Sequence, residues 1–208
     1  LYKNKNNLLA LYQPYILKGQ LFFQQQEYSY AVENYSKALS IAREKDFLQG
    51  EISALTTLEN TFFALKEFEE AKTYYQKADA LNQQVSNEQL TLHIFNGFGN
   101  LYKDIGDPNQ AESYYRKALE IAKNTKNLQA IAGIQQNIAE LVVKKESEES
   151  LQSALSLFLD SYVAYQQIQD GYNLGMVSNE IAATYIKMGE FKKSYFLYDY
   201  FTTSVFNF

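Results

Sequence analysis

The sequence has no cysteine, only two prolines and nine glycines among 208 residues, and a single histidine, His93. Without cysteine there is neither a disulfide framework nor a thiolate metal site, and the same lack does not separate cytoplasm from periplasm. A cytoplasmic location is the expectation. One histidine excludes a His-rich metal site and leaves no Ser-His-Asp arrangement except around His93 itself. So few helix breakers permit long helices almost everywhere. The net charge is −5 and the pI about 5.0, with no basic block. A nucleic-acid surface, which normally shows clustered Lys and Arg, is therefore not expected. No run of 18 apolar residues offers a membrane span. No strand pattern is evident, and no glycine-rich phosphate loop follows one. The crowded acids Glu146, Glu148 and Glu149, like Glu69 and Glu70, read as solvated surface. No catalytic constellation and no cofactor site emerge, so an enzyme is not expected.

What the chain does contain is repetition, the signal that dictates architecture when present. Ala31, Ala71 and Ala111 recur every 40 residues, as do Tyr35, Tyr75 and Tyr115, and Ala38, Ala78 and Ala118. The preceding segments keep the same step through Phe22, Phe62 and Tyr102. Around residues 98–123 the pattern is clearest. One amphipathic segment ends on Gly99 and Tyr102, Gly106-Asp107-Pro108 makes a turn, and a second segment carries Ala111, Tyr115 and Ala118 on one helical face. Asp107 suits an N-cap, Pro108 the first helical position, Gln110 the partner in a capping box, and Gly106 the left-handed residue ending the helix before it.

This pattern resembles the tetratricopeptide-repeat family over nearly the whole chain, in a subclass with a 40-residue period rather than the usual repeat of about 34. The resemblance implies an all-α fold, a right-handed superhelical α-solenoid of antiparallel helix hairpins. A single array over residues 1–208 is expected, with hairpins near 7–45, 47–84, 87–125, 127–168 and 171–203. Residues 1–6 align with 41–46 and read as the tail of a preceding hairpin, so an upstream repeat is expected before Leu1. The fourth hairpin reaches Ala154 and Phe158 three residues late, and 144–150 reads as a lengthened polar turn. Pro14 either begins the first helix or kinks it. In the last hairpin Ser194 and Phe201 replace the small residues. The aromatic carboxyl end, Tyr195 to Phe208, is too apolar for a solvated cap, and a further repeat, a following domain or self-association would each cover it.

Small residues are expected where paired helices approach closely: Gly19, Gly99, Ala139 and Ala182 on first helices, and Ala31, Ala71, Ala111 and Ala154 opposite them. Enlarging such a site costs about 1–3 kcal/mol by overpacking. Glu59 breaks this column. The many tyrosines and phenylalanines fall mostly on core columns.

In this family, ligands commonly lie as extended peptides along a groove lined by first helices. Carried over residue by residue, the resemblance puts Asn60, Asn96, Asn100, Gln136, Asn137, Glu140 and Asn179 on or near that groove, with His93, Lys103 and Lys187 at its rim. The implied partner is a protein or peptide, with no nucleic acid and no membrane. A carboxamide both donates and accepts, so a ladder of amides can pair with an extended backbone. The inner-helix positions that are cationic in terminal-carboxylate clamps carry Thr56, Asn96, Gln136 and Asn179 here, which disfavours that ligand. Equally, such amides can serve to satisfy neighbouring helices. A regulatory domain within a larger signalling protein is the second reading.

Overall fold

The computed structural model describes residues 2–194 and the side chains of residues 10–194. The second helix of the last hairpin and the aromatic stretch from Tyr195 onward lie outside the described residues. Within them the chain is helical: α1 (Tyr2–Gln24), α2 (Tyr28–Glu44), α3 (Leu48–Ala64), α4 (Phe68–Val85), α5 (Glu88–Asp104), α6 (Pro108–Asn124), α7 (Leu128–Val142), α8 (Glu148–Gln167) and α9 (Gly171–Lys187). Second helices start at residues 28, 68, 108 and 148, and first helices at 48, 88 and 128. Short turns join each helix to an antiparallel neighbour.

The turns share one device. The chain enters the left-handed region at Gln26, Asp46, Lys66, Gly106 (φ +85°), Lys126, Gln169 and Gly189 (φ +76°). This closes the preceding helix through paired backbone bonds such as Asp107 N–H to Tyr102 O at 2.9 Å. Asp107 caps α6 as expected, accepting from Gln110 N–H at 3.1 Å. The reciprocal half of a capping box does not form, because the Asp107 N–H is already engaged by Tyr102. Asn127, Ser147 and Asp170 cap α7, α8 and α9 in the same way.

Two compact units divide the chain, Leu1–Leu101 and Tyr102–Phe208, with the boundary inside α5. In the first, α2 packs between α1 and α3, and α3 between α2 and α4. Ala31, Ala38, Ala71 and Ala78 are completely buried, beside the nearly buried rings of Tyr35 and Tyr75. Leu55, Leu58 and Ile94 complete the core, each side chain contributing about 1.5–3 kcal/mol by leaving water. The Tyr12 hydroxyl donates to Gly50 O at 2.9 Å, tying α1 to α3. α1 runs unbroken from Tyr2 through Pro14 to Gln24, so it does not start at the proline. Residues 2–6, assigned from the sequence to a preceding hairpin's tail, continue into this same helix with no turn between.

In the second unit, α7 packs between α6 and α8, and α8 between α7 and α9. Ala111, Tyr115 and Ala118 are again fully buried, and burial pushes the Tyr115 phenol up. The residues expected to lengthen a polar turn at 144–150 are instead mostly helical. A 3₁₀ turn covers Val143–Lys145, and α8 begins at Glu148 and runs 20 residues, about one turn longer than its counterparts. The delay is absorbed by helix because Ser147 caps a new first turn, accepting from Ser150 N–H at 3.1 Å. Ala154, Phe158 and Ser161 then fill the buried column, and the Ser161 hydroxyl donates to Ala132 O at 2.8 Å across α7 and α8.

The rings of Phe62 and Tyr74 stack at 5.2 Å within one hairpin, and those of Tyr102 and Tyr114 at 5.5 Å within another. Position 34, the counterpart of 74 and 114, is asparagine, and there Phe22 turns to Tyr30 instead at 5.2 Å. Gly97 lies against the Tyr75 ring so closely that a β-carbon would overlap it, whereas nothing lies within 4 Å of one built on Gly175. Gly97→Ala is therefore expected to lower stability by about 1–3 kcal/mol through overpacking. Gly175→Ala should raise it by about 0.5–1 kcal/mol through helix propensity. Thermal melts of the two variants check both signs.

Candidate functional site

Three carboxamides and the histidine fall in the first unit. Asn60 is exposed on α3, while Asn96 and Asn100 are half-buried on one face of α5. The Asn96 side chain makes no hydrogen bond among the described residues, and its Oδ1 is enclosed without a donor. Thr56, at the corresponding place on α3, turns its hydroxyl back to Ile52 O at 2.8 Å.

The pairing that sequence reasoning missed is Glu59 with His93. Glu59 is completely buried, its Oε1 hydrogen-bonded to Nε2 of His93 on the next first helix. The other oxygen, Oε2, is enclosed and has no partner among the described residues. Burial is the larger influence on the Glu59 carboxyl and raises it, while the imidazole opposes this. For His93 the hydrogen bond to Glu59 is the larger influence and raises the imidazole against its own burial. Together the two groups hold their protons to higher pH than either does in water. The only sequence signal was that a glutamate stood in a column of glycine and alanine.

In the second unit a connected polar set joins α5, α7 and α8. Lys103 Nζ lies 3.5 Å from Asn137 Oδ1 and 3.4 Å from Glu140 Oε2. Gln136 reaches Glu140 Oε1 at 3.5 Å and accepts from the Tyr165 hydroxyl at 3.4 Å. These bonds are long, so the set is loosely held rather than locked. Glu180 on α9 is half-buried, and burial followed by the Glu140 charge raises its carboxyl. Asn179 beside it is exposed. Lys187 is drawn away to Glu146 at 2.8 Å. Gln135, another residue missed from the sequence, is buried, donates to Asp160 at 3.3 Å and leaves Oε1 without a partner.

The unit-1 and unit-2 sets therefore differ in chemistry. The first holds one buried carboxylate, an imidazole and unpaired amide, and the second a cation among acids and amides. Among the described residues no group of three or more His, Cys, Asp or Glu side chains could hold a metal, and no helix is long and apolar enough to cross a membrane.

Because both Glu59 and His93 have raised folded-state values, the stability they contribute is present at acid pH and lost as pH climbs. The melting temperature of the wild type should fall relative to that of Glu59→Gln as pH rises above about 4.5, the ordinary glutamate value, and further above about 6.5, the ordinary imidazole value. A difference between the two proteins that stays constant with pH would exclude this linkage. By contrast, Lys103→Met should cost less than about 1 kcal/mol, because its ion pair with Glu140 is partly solvated.

Family models described as tetratricopeptide repeat match residues 12–45 and 52–124, together just over half of the chain. Among curated proteins no sequence matches. Among solved structures, BtubC (BKLC) from P. vanneervenii superposes with a TM-score of 0.84 at 18% identity, over 100% of this chain and 85% of that one. The Rap conjugation gene regulator of plasmid pLS20, in complex with the Phr* peptide, gives 0.69 at 18% identity, over 98% of this chain and 56% of that one. The kinesin light chain-like repeats of Podosopora anserina give 0.71 at 14%, over 94% of each chain. This chain thus spans little more than half the length of the Rap regulator. At these identities the likeness speaks for the fold. With both family models falling on the helix pairs described above, the chain belongs to the tetratricopeptide-repeat family.

Proposed function

We infer that the chain is a protein-interaction module that holds an extended peptide against the first-helix faces of its hairpins. Asn96 carries this reading. It is a half-buried carboxamide, on a helix face otherwise set with Asn100 and His93, that no described residue satisfies. Its Oδ1 is enclosed, so the group it offers a ligand is the amide Nδ2–H, which is not enclosed and has no partner among the described residues, and a peptide carbonyl is the acceptor that fits it. In the second unit Gln136, Asn137 and Asn179 offer further amides. Lys103 and Glu140 lie beside Gln136 and Asn137 as paired charges that a ligand can exchange for its own. The Rap regulator similar to this chain is bound to the Phr* peptide, and a second Rap structure is in complex with the competence and sporulation factor. Both support a peptide as the ligand class.

A regulatory role within a larger protein is the second reading. It is favoured by the partial span of the chain on the Rap structures, 56% of the conjugation regulator and 52% of RapI. The two readings share the same faces and differ in what the binding event controls.

A phage-displayed library of random dodecapeptides is the probe. Peptides recovered on the wild type should bind Asn96→Ala/Asn100→Ala about tenfold more weakly or worse, since two amide hydrogen bonds are worth about 1–3 kcal/mol together. The melting temperature should stay close to that of the wild type. Unchanged affinity with a lowered melting temperature would make the amides structural and end the peptide reading at this face.

A further inference from the structure

Glu59 stands where the other hairpins carry Gly19, Gly99, Ala139 and Ala182. A completely buried carboxylate with one oxygen unpaired is a costly replacement for a methyl group. Packing alone does not call for it, because Ala139 is fully buried at the equivalent place in the second unit. What the carboxylate does is hold a ring. His93 is 40% exposed, its Nε2 is committed to Glu59 Oε1, and its Nδ1 has no partner among the described residues and is not enclosed.

We propose that Glu59 is a positioning residue for the peptide face of the first unit, fixing the His93 ring between α3 and α5 so that Nδ1 becomes an oriented, proton-gated contact for a ligand carbonyl. The ligand in this statement rests on the peptide reading above, whereas the fixed and gated ring does not.

The gating follows from which nitrogen is committed. While Glu59 is ionised its carboxylate can only accept, so Nε2 keeps its hydrogen in both states of the ring. The proton gained from or released to solvent is therefore the one on Nδ1. Protonated, Nδ1–H donates and can hold a peptide carbonyl. Deprotonated, Nδ1 offers a lone pair and repels one. The surrounding charges do not override this. Of the charged side chains on these elements, Lys18 on α1, Glu33, Lys37 and Arg43 on α2, Glu51 on α3, Lys72, Lys77 and Asp79 on α4, and Glu88, Lys103 and Asp104 on α5, none acts on either group. Lys37 pairs with Glu33 at 2.5 Å, and Arg43 with Glu51 at 2.7 Å. Glu59 and His93 feel each other's charge alone.

Because His93 is the only histidine, its imidazole signals in a ¹H–¹³C and ¹H–¹⁵N spectrum report on this site without assignment. In the wild type the ring should titrate above about 6.5, and on the alkaline side its nitrogen shifts should show the hydrogen on Nε2. In Glu59→Gln, and in Glu59→Ala, which restores the small residue of the column and should fold, the titration should move down by at least one pH unit. A wild-type ring that titrates at or below about 6.5, or one unmoved in both variants, overturns the positioning role. The second arm uses dodecapeptides recovered from the library at pH 6.0. Wild-type binding should weaken about tenfold between pH 6.0 and pH 8.5, and binding to Glu59→Ala should not follow pH. Peptides that bind with no pH dependence, while the ring titrates as expected, refute the gated contact and leave the peptide reading intact. Recovery of no peptide at either pH refutes the peptide reading and the ligand contact together, while the ring titration still decides the positioning role.

Discussion

Close approach between helices, permitted by alanine and glycine, is the constraint on which each unit depends. Ala31, Ala38, Ala71, Ala78, Ala111 and Ala118 are all fully buried, and each is one methyl group wide. That narrowness brings the backbones near enough for Tyr35, Tyr75 and Tyr115 to span the contact and for the Tyr12 hydroxyl to reach the Gly50 carbonyl. Close packing leaves little slack: where the small residue is exchanged for a larger one, something must shift or a polar group must be satisfied. Ser161 shows the mild form, with its hydroxyl turned onto the Ala132 carbonyl. Glu59 shows the severe form, with one oxygen spent on His93 and the other on nothing.

The polar contacts between neighbouring first helices follow from the same geometry. Glu59 to His93 spans 34 residues, Lys103 to Asn137 also 34, and Lys103 to Glu140 spans 37. These separations fall short of the 40-residue step by one or two helical turns. Side chains lean toward the N-terminus of their own helix, so partners are offset from repeat-equivalent positions.

Tetratricopeptide hairpins supply a scaffold on which such contacts are free to vary, because the buried columns alone maintain the fold. The polar faces of the two units differ accordingly. The first buries a carboxylate against an imidazole, and the second keeps a loosely bonded lysine among amides and acids.

The sequence by itself determined the helices, the turns and the small-residue columns. Periodic alanines, tyrosines and turn residues act locally or at a constant step, so Asp107, Gly106 and Ala111 could be assigned without any tertiary knowledge. It did not determine how the delayed fourth hairpin absorbs its extra residues, since a polar run such as 144–150 suits a turn and a capped helix equally well. The unbroken course of α1 through Pro14 was likewise beyond it, because a proline's cost is offset only by what its helix packs against. Most of all, the partner of Glu59 was decided in three dimensions. A buried acid is stabilised by whatever lies across the helix contact, and that neighbour is set by tertiary packing, which leaves no mark in the repeat.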